Sequence, residues 1–260
     1  MTSRKRHAKI VESLRSTGVA SVRELAENLQ VSESTIRRDL TLLDRNGELV
    51  RTYGGAAMSP RGTVEPVDEE ADEAPFDVVA SRQATLKTAM AEEAVKLVED
   101  DSVIVLDIGT TPRAIARRLR GRPVTVITSS LAVLDELRDD DAVRLVMLGG
   151  VLRRNYQSLV GSLTEQALRQ VSADLLFLSC TGVRPGGHVV DNMAVEAPLK
   201  QAMIETAGKV VLVADETKFP GTGSLRVCSL SDIDVLISTS GADPDTLQLY
   251  READGKVILA

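Results

Sequence analysis

The sequence predicts an α/β protein, with a small N-terminal winged helix-turn-helix joined to a doubly wound, mostly parallel-sheet domain. Two observations predict this architecture. Residues 4–47 carry apolar side chains at helical spacing, interrupted by capping signals. From residue 83 onward, short apolar runs without clean alternation are separated by amphipathic helices, which is typical of parallel strands covered on both faces.

In the N-terminal module, the helices are predicted from their caps. The first spans residues 4–15, and the second begins at Ser21, where Ser21 and Glu24 have the spacing of a capping box. Ser32 is the expected N-cap of a third helix, which ends near Gly47. Residues 48–59, centred on a Gly-Gly turn, predict a two-stranded wing.

The larger domain is predicted as seven strands and their connecting helices. The expected strands are 103–106, 124–128, 144–148, 175–178, 210–214, 235–238 and 257–259, and the expected helices are 83–98, 112–119, 131–137, 163–171, 195–207 and 246–251. Between the two domains, residues 60–77 interleave three prolines with seven acidic residues, a composition typical of a solvated linker. We therefore expect domains at residues 1–58 and 80–260, joined by a linker at 59–79.

Charge and composition restrict the function. The net charge is −7, yet residues 1–58 hold ten basic and seven acidic side chains, so the module carries +3 and the remainder −10. This asymmetry favours nucleic-acid binding at one end of the chain. The sequence shows neither an apolar run of membrane-spanning length nor a signal peptide, and so we expect a cytoplasmic protein with no membrane partner.

Metal and redox chemistry are not expected. Cys180 and Cys228 lie far apart in strand-like contexts, and the histidines number two. Neither a disulfide framework nor a metal site is indicated, and no cofactor is expected. Cys180 is interpreted as a small packing residue rather than a reactive thiol.

The third helix presents small polar and basic side chains at its front, as a helix that reads a DNA major groove does. Ser34 and Thr35 suit phosphates or base edges, while Arg37 and Arg38 could divide phosphate and guanine contacts in either order. The alternative is that both arginines belong to a solvated helix face. The DNA-binding residues predicted for the helix-turn-helix are Ser21, Ser32, Ser34, Thr35, Arg37 and Arg38, and the predicted partner is double-stranded DNA.

Small polar loops follow three of the predicted strands, at residues 107–112, 128–130 and 149–150. The first contains Gly109, two threonines and a proline suited to the first turn of a helix. Such loops at the carboxyl ends of parallel strands predict a crevice for a small anionic ligand. Ordinary capping and turn chemistry is the alternative for each loop taken alone.

These motifs resemble those of a known family. Val-Ser-Glu-Ser-Thr-Ile-Arg-Arg-Asp-Leu at 31–40, followed by Arg-Thr-Tyr-Gly-Gly-Ala at 51–56, resembles the DeoR family of bacterial transcriptional regulators. The resemblance implies a recognition helix at 32–39 that binds operator DNA, and a wing near the DNA backbone with Arg51, Tyr53 and Gly54 as further DNA-binding residues. It also implies a body similar to the sugar-phosphate isomerase and coenzyme A transferase fold. Tyr53 stands where the family usually has His.

The resemblance also implies an effector site for a phosphorylated sugar or related metabolite. The expected residues are Asp107, Gly109, Thr110, Thr111, Thr128, Ser129, Ser130, Gly149, Gly150, Arg153, Thr181, Glu196, Lys200, Asp215 and Lys218. Thr181 stands where related proteins often have Asp, which removes a carboxylate that an isomerase needs. Glu196 and Lys200, four residues apart, could equally form a plain surface ion pair.

Three functions follow as hypotheses. The first is a regulator of a carbohydrate-catabolism operon, expected to repress it, and acting as a dimer or tetramer that reads paired half-sites. The second is a sugar-phosphate isomerase-like enzyme with an appended DNA-binding domain. The third is a body that serves only oligomerisation and protein interaction, with no effector.

Overall fold

A computed structural model describes residues 3–17, 19–45, 49–52, 54–57 and 74–260. The chain divides into two compact units, Met1–Val64 and Glu65–Ala260. Residues 58–73, where we expected the first domain to end and the linker to begin, lie outside the described ranges. Those boundaries stay predictions.

The N-terminal unit combines helices with a small antiparallel sheet. Its elements are α1 (Ser3–Thr17), β1 (Val19–Ser21), α2 (Val22–Leu29), α3 (Glu33–Arg45), β2 (Val50–Thr52) and β3 (Gly55–Ala57). The apolar positions of the helices meet in one core, in which Ile10, Leu14, Leu25, Ile36 and Leu40 are at most 1% exposed. Burying each such side chain contributes about 1.5–3 kcal/mol, so this core stabilises the helical arrangement.

The wing has a strand that the sequence did not predict. β1 pairs with β3, and β3 pairs with β2, in the order β1-β3-β2. β1 is three residues long, too short for an alternating pattern, and its partner lies more than thirty residues further along the chain. The sheet anchors the wing to the segment that leads into α2.

The C-terminal unit is built on parallel strands. Its strands are β4 (Val103–Leu106), β5 (Thr125–Thr128), β6 (Arg144–Met147), β7 (Val151–Arg153), β8 (Ser158–Val160), β9 (Leu175–Leu178), β10 (Gly182–Val183), β11 (His188–Asp191), β12 (Val210–Val213), β13 (Leu225–Ser229), β14 (Val235–Ser238) and β15 (Lys256–Leu259). Seven of these form a parallel sheet in the order β15-β14-β12-β9-β4-β5-β6. The predicted fold class is confirmed.

Helices cover both faces of this sheet. They are α4 (Phe76–Ser81), α5 (Ala84–Val95), α6 (Thr110–Leu119), α7 (Leu131–Leu137), α8 (Ser162–Leu168), α9 (Ala197–Thr206) and α10 (Pro244–Glu252). Along β4, Ile104 and Leu106 join one hydrophobic cluster, while Val105 joins the cluster on the opposite face. Both faces are therefore buried, which explains why the strands show no hydrophobic alternation.

Two antiparallel pieces were not predicted. β7 and β8 form a hairpin, and β10, β11 and β13 form a separate sheet. Their strands are two to five residues long and contain the buried polar residues Arg153, Ser158 and Asp191, which disguise them in a search for apolar runs. Both pieces follow the carboxyl ends of the parallel strands.

The described end of the predicted linker is folded. Residues 74–79 were expected to be solvated linker, but α4 begins at Phe76, whose side chain is 1% exposed. The Pro-rich, acidic composition led us to predict a linker up to residue 79. Because burial of the Phe76 ring stabilises α4, the folded part begins earlier than that predicted boundary. None of the helices in the described ranges combines the length and the apolar character needed to cross a membrane.

Candidate DNA-binding and effector sites

The helix-turn-helix has the caps that the sequence predicts. The Glu24 N–H donates to Ser21 Oγ over 3.1 Å, and the Ser21 N–H donates to Glu24 Oε2 over 2.8 Å. Hydrogen bonding of the Glu24 carboxyl to the Ser21 backbone N–H, and then to the Ser21 side chain, lowers the pKa of Glu24. At the turn, Gln30 adopts a left-handed conformation that ends α2. These contacts fix the entry of the chain into α3.

The front of α3 is a group of hydroxyls. The Thr35 N–H donates to Ser32 Oγ over 3.2 Å, which makes Ser32 the cap. Ser32 Oγ also lies 2.9 Å from Ser34 Oγ and 2.8 Å from Thr35 Oγ1. Ser32 and Ser34 are exposed. A helix N-terminus carrying exposed hydroxyls offers donors to a phosphate or a base edge.

Arg37 and Arg38 are both exposed, but their surroundings differ. Arg37 Nη2 lies 2.7 Å from Glu33 Oε2, an exposed pair one helical turn apart. In the described part of the chain, Arg38 has no ion-pair partner. Arg38 is therefore the arginine available for a new acceptor, a distinction that the sequence left open.

The other residues predicted to contact DNA are Ser21, Gly54, Arg51 and Tyr53. Ser21 uses its hydroxyl as the α2 cap, and Gly54 is exposed, with its carbonyl accepting from the Val22 N–H over 2.8 Å. Arg51 lies in β2, and Tyr53 falls outside the described residues. Their contacts with DNA stay predictions.

A buried carboxylate that the sequence analysis missed holds α3 against α1. Asp39, 5% exposed, accepts hydrogen bonds from Arg6 and from His7 Nε2, the latter over 2.9 Å. Burial alone would raise the pKa of Asp39, but the bonds from Arg6 and His7 outweigh it and hold that pKa below its usual value. The orientation of the recognition helix therefore depends on an ionised Asp39.

In the C-terminal unit, a cavity of about 370 Å³ lies where three neighbouring strands end. The loops after β4, β9 and β12 contribute, together with the α4–α5 segment. Its lining consists of Val79, Arg82, Gln83, Lys87, Gly109, Thr110, Thr111, Tyr156, Ser179, Cys180, Val213, Asp215, Thr217 and Lys218. Open α/β sheets bind ligands at this edge, and the volume suits a small metabolite.

The N-terminus of α6 opens into this cavity. Gly109 is its N-cap residue, and Thr110 and Thr111, both buried, form its first positions. A Cβ on Gly109 would lie 2.4 Å from Ser179 Oγ, and so only glycine permits this approach of the β4 and β9 loops. The first N–H groups of a helix, with the positive end of its dipole, attract an anion.

Basic side chains surround the same cavity. Lys87 is 7% exposed, and its Nζ donates to the carbonyl oxygens of Val79 and Arg82 over 2.5 Å and 2.6 Å. Burial lowers the pKa of Lys87 to about 8; Lys218 and Arg82 add to the lowering, and Asp215 opposes it. The lining thus holds three basic groups against one carboxylate, which favours a negatively charged ligand.

Beneath the cavity lies a fully buried charge cluster. Asp107 accepts from Lys200 Nζ over 2.7 Å, from the Ser179 N–H over 2.9 Å and from Ser179 Oγ over 2.7 Å. Asp191 Oδ2 lies 3.2 Å from the same Nζ. Burial alone would lower the pKa of Lys200, but Asp107, Asp191 and Glu196 outweigh it and hold that pKa well above its usual value.

Glu196 and Arg153 form a second buried pair beside this cluster. The guanidinium of Arg153 also stacks over the ring of Tyr156, 5.5 Å from its centroid. Burial, with Asp191 and Asp107 nearby, raises the pKa of Glu196 to about 8, although Lys200 and Arg153 pull it down. Both Glu196 and Lys200 are at most 4% exposed, so the plain surface ion pair considered above is wrong.

We expected the three predicted loops to converge on one crevice, but they do not all do so. Gly109, Thr110, Thr111, Asp215 and Lys218 line the cavity; Asp107, Glu196 and Lys200 lie below it. The predicted residues outside the lining are Thr128, Ser129, Ser130, Gly149, Gly150, Arg153 and Thr181. Their roles in an effector site stay predictions.

The β7–β8 hairpin explains most of this difference. It packs over the loop after β5, where the Leu159 N–H donates to the Ser129 carbonyl over 2.8 Å. Ser130 caps α7, and Thr128 Oγ1 donates to the Leu106 carbonyl over 2.8 Å. A Cβ on Gly150 would lie 2.2 Å from Thr164 Oγ1, so that glycine serves close packing against α8.

Thr181 and Cys180 were also singled out in the sequence analysis. Thr181 Oγ1 lies 3.2 Å and 3.1 Å from the carbonyl oxygens of Val190 and Thr222. Cys180 lines the cavity, and burial raises the pKa of its thiol to about 12, so it is not a thiolate at neutral pH.

Several lining residues were missed by the sequence analysis. Lys87 lies on the helix predicted at residues 83–98, which was assigned only to packing. Arg82 lies between α4 and α5, and Tyr156 lies in a hairpin turn. Ser179 follows β9, so the strand-end rule that found Asp107 could have found it as well. Asp191, in the charge cluster, ends β11, an antiparallel strand that was not predicted. No local pattern marks Lys87, because its position depends on the hydrogen bonds of its Nζ to the Val79 and Arg82 carbonyl oxygens.

Comparisons with known proteins agree with this anatomy. The DeoR C terminal sensor domain matches residues 82–240, and the DeoR-like helix-turn-helix domain matches residues 6–61. A putative aga operon transcriptional repressor of Escherichia coli O157:H7 is 33% identical over 98% of this chain and 93% of its own. A glycerol-3-phosphate regulon repressor and an L-fucose operon activator of Haemophilus influenzae are 32% and 31% identical, covering 98% and 94% of this chain and 96% and 94% of theirs.

A helix-turn-helix with an exposed, capped recognition helix and a separate sensor domain define a DNA-binding transcriptional regulator. The chain belongs to the DeoR family of such regulators.

Proposed function

We propose that this protein binds operator DNA of a carbohydrate-catabolism operon, represses it, and responds to a phosphorylated sugar or related metabolite held in the C-terminal unit. The similar proteins named for aga, fucose and glycerol-3-phosphate genes support the operon class. Since both repressors and an activator are among them, the direction of regulation rests on our expectation alone. A DNA-binding regulator acts where the chromosome lies, which keeps the cytoplasm as our expected location.

One observation carries the choice of effector. The first turn of α6 opens into a cavity flanked by Lys87, Lys218 and Arg82. Unpaired helical N–H groups and ammonium groups together suit a phosphate, while about 370 Å³ leaves room for a sugar. The described residues give Lys218 no ion pair, so its charge is available to a ligand.

The cavity favours a sensor over an enzyme. Among the described residues, Asp215 is the carboxylate that lines it, and Asp215 caps a short turn by accepting from the Thr217 N–H over 2.9 Å. Asp107, Asp191 and Glu196 are held below by Lys200 and Arg153. Asp215, engaged with Thr217, is thus the one described lining carboxylate that could move a proton between carbons, which favours binding over the chemistry of an isomerase.

Calorimetry with a panel of pentose and hexose phosphates tests the effector class. The matching unphosphorylated sugars serve as ligand controls, and Lys218→Met is compared with Lys96→Met, an exposed lysine on the same unit. We expect heats for at least one phosphate, reduced by Lys218→Met only. Equal binding of the unphosphorylated sugar would contradict the phosphate site. Absence of heats across the panel would favour a body that serves only oligomerisation, and turnover of a bound phosphate would favour the enzyme.

Operator binding by a symmetric dimer or tetramer completes the proposal. A single winged module makes few contacts, and paired half-sites read by a two-fold assembly supply the missing affinity. Light scattering of the full chain, alone and with DNA from upstream of its own gene, measures the stoichiometry. A monomer that saturates that DNA one to one would contradict this part of the proposal.

A further inference from the structure

The short helix α4 is fastened at its first residue to the cavity wall. The Phe76 N–H donates to the Asn155 carbonyl over 2.9 Å, and the Phe76 ring meets the Tyr156 ring edge-on, with centroids 5.5 Å apart and planes at 80°. The guanidinium of Arg113 lies 5.9 Å from the Phe76 centroid. Tyr156 lines the cavity, so the N-terminal attachment of α4 is made to a residue that a ligand would touch.

The other end of α4 is fastened by Lys87. Its Nζ donates to the carbonyl of Val79, inside α4, and to the carbonyl of Arg82, which directly follows α4. An ammonium group has three N–H donors. The described residues provide no acceptor for the third, and Lys87 lines the cavity.

Lys87 can therefore join a ligand to α4. An anion in the cavity would accept the third N–H while the other two stay on the carbonyl oxygens. A charge-assisted hydrogen bond in a buried site is stronger than a neutral one, and it favours the charged, three-donor form of the lysine. The anion thus strengthens the attachment instead of competing with it.

We propose that α4 reports the occupancy of the cavity: a phosphate group bound there fixes α4 through Lys87 and the Phe76–Tyr156 contact, and this response of α4 couples the cavity to DNA binding. This inference rests on the proposed anion site. It adds the route of regulation, because α4 is the first described element after the segment that joins the two units in the sequence. The bound and empty states then differ in how firmly α4 is held.

Hydrogen exchange of the full chain, with and without inorganic phosphate, tests this route. Sodium chloride at equal ionic strength is the reference, and calorimetry on the same sample measures phosphate binding. The informative amides are those of Phe76, Val78 and Val79, which donate to Asn155 and Pro75 carbonyls. We expect phosphate to slow their exchange by at least about fivefold, the lower end of usual coupling factors.

Two variants separate the attachment from binding. Phe76→Leu keeps an apolar side chain but loses the ring contacts; its control is Val78→Ala on the exposed face of the same helix. Lys87→Met removes the bridging donors; its control is Lys96→Met. We expect Phe76→Leu to bind phosphate within about threefold of the parent, yet to lose the exchange response, because the coupling is removed and the site is kept. Lys87→Met should lose the response too, and both controls should keep it.

The outcomes separate the proposed role of α4 from the proposed anion site on which it rests. Phosphate that binds without slowing α4 exchange would overturn the inference and leave the anion site standing. A response in Phe76→Leu equal to that of the parent would overturn it as well. Absence of phosphate binding in the parent would contradict both. Should Phe76→Leu fail to fold, the exchange of the parent protein alone decides.

Discussion

Lys200 Nζ lies 2.7 Å from Asp107 Oδ2, although 93 residues separate them in the sequence. The lysine is on α9 and the aspartate ends β4, and the same Nζ contacts the Ser179 carbonyl over 3.0 Å and Asp191. One buried ammonium group thus joins the ends of β4, β9 and β11. It fixes the loop that begins α6, on which the candidate phosphate site depends.

Loss of this ammonium group should be costly. Lys200→Met leaves Asp107 and Asp191 buried without their cation, and removing one partner of a buried pair typically costs about 3–5 kcal/mol. We expect the C-terminal unit to lose that much unfolding free energy in urea titrations followed by circular dichroism. Lys256→Met, an exposed lysine on β15, should change it little. A Lys200→Met protein as stable as this control would show that the cluster does not hold the fold.

The two arginines of the recognition helix should differ in effect. Arg38 is unpaired in the described chain, so Arg38→Ala should weaken binding to specific DNA by about 1–3 kcal/mol and relax sequence preference. Arg37 pairs with Glu33, so Arg37→Ala should have a smaller effect, similar on all sequences. Band shifts at fixed salt, with Arg23→Ala on α2 as control, measure this. The reverse order of the two effects would assign base reading to Arg37.

Anion binding should weaken in alkaline solution. The pKa of Lys87 is lowered to about 8, so the cation that faces the cavity is lost as the pH rises through 8. A phosphate monoester, with a second pKa near 6, stays dianionic over this range. We expect its affinity to fall by an amount approaching about tenfold per pH unit above 8 in calorimetry, provided that binding requires the protonated lysine. Lys87→Met should show weaker binding with a flat profile.

Stability provides an internal control for that measurement. Because the folded pKa of Lys87 is below the unfolded value of 10.5, the unfolded chain binds more protons between pH 8 and 10.5. This group therefore makes folding more favourable as the pH rises through that window. The burial penalty of the charged Lys87 is thus relieved over the same range in which affinity falls, so the fall in affinity is not an effect of unfolding. A wild-type affinity for the phosphate monoester that stays constant between about pH 7 and about pH 9 would contradict the role of Lys87.

The attachment of the recognition helix should be sensitive to acid. The folded pKa of Asp39 is held below its ordinary value of 3.8, so its stabilising effect is complete above that value and is lost as the pH falls through the lowered pKa. Asp39→Asn should remove this part of the acid response. At neutral pH, it should also speed the hydrogen exchange of α1 and α3 amides, because the contact with Arg6 and His7 is weakened. Glu12→Gln, on the exposed side of α1, is the matched control. Unchanged exchange in Asp39→Asn would contradict the role of the Arg6–His7–Asp39 contact.

Elements with strong local signals were predictable. Strands β4, β9 and β14 have the predicted bounds, because each is an uninterrupted apolar run between polar loops. The capping residues Ser21 and Ser32 were also found, since a cap is a local pattern of side chain and backbone.

Features that depend on distant packing were not predictable. The β7–β8 hairpin buries Ser129 and Ser130, and so turns a presumed ligand loop into an interior one. Lys87 is held at the cavity by the carbonyl oxygens of Val79 and Arg82, contacts that no local sequence pattern marks. Asp191, which contacts Lys200, was missed because it ends β11, a short antiparallel strand that the search for apolar runs did not find.

The central claim is that α3 binds DNA, that the C-terminal unit binds a phosphorylated ligand, and that the two are coupled. A paired measurement on full-length variants tests it most directly: affinity for upstream DNA in band shifts and affinity for the best sugar phosphate in calorimetry. The account predicts that Arg38→Ala loses DNA affinity and keeps ligand affinity, that Lys218→Met does the opposite, and that ligand changes DNA affinity in the parent alone. Loss of both affinities in each folded variant, or parent DNA binding indifferent to a bound ligand, would contradict it.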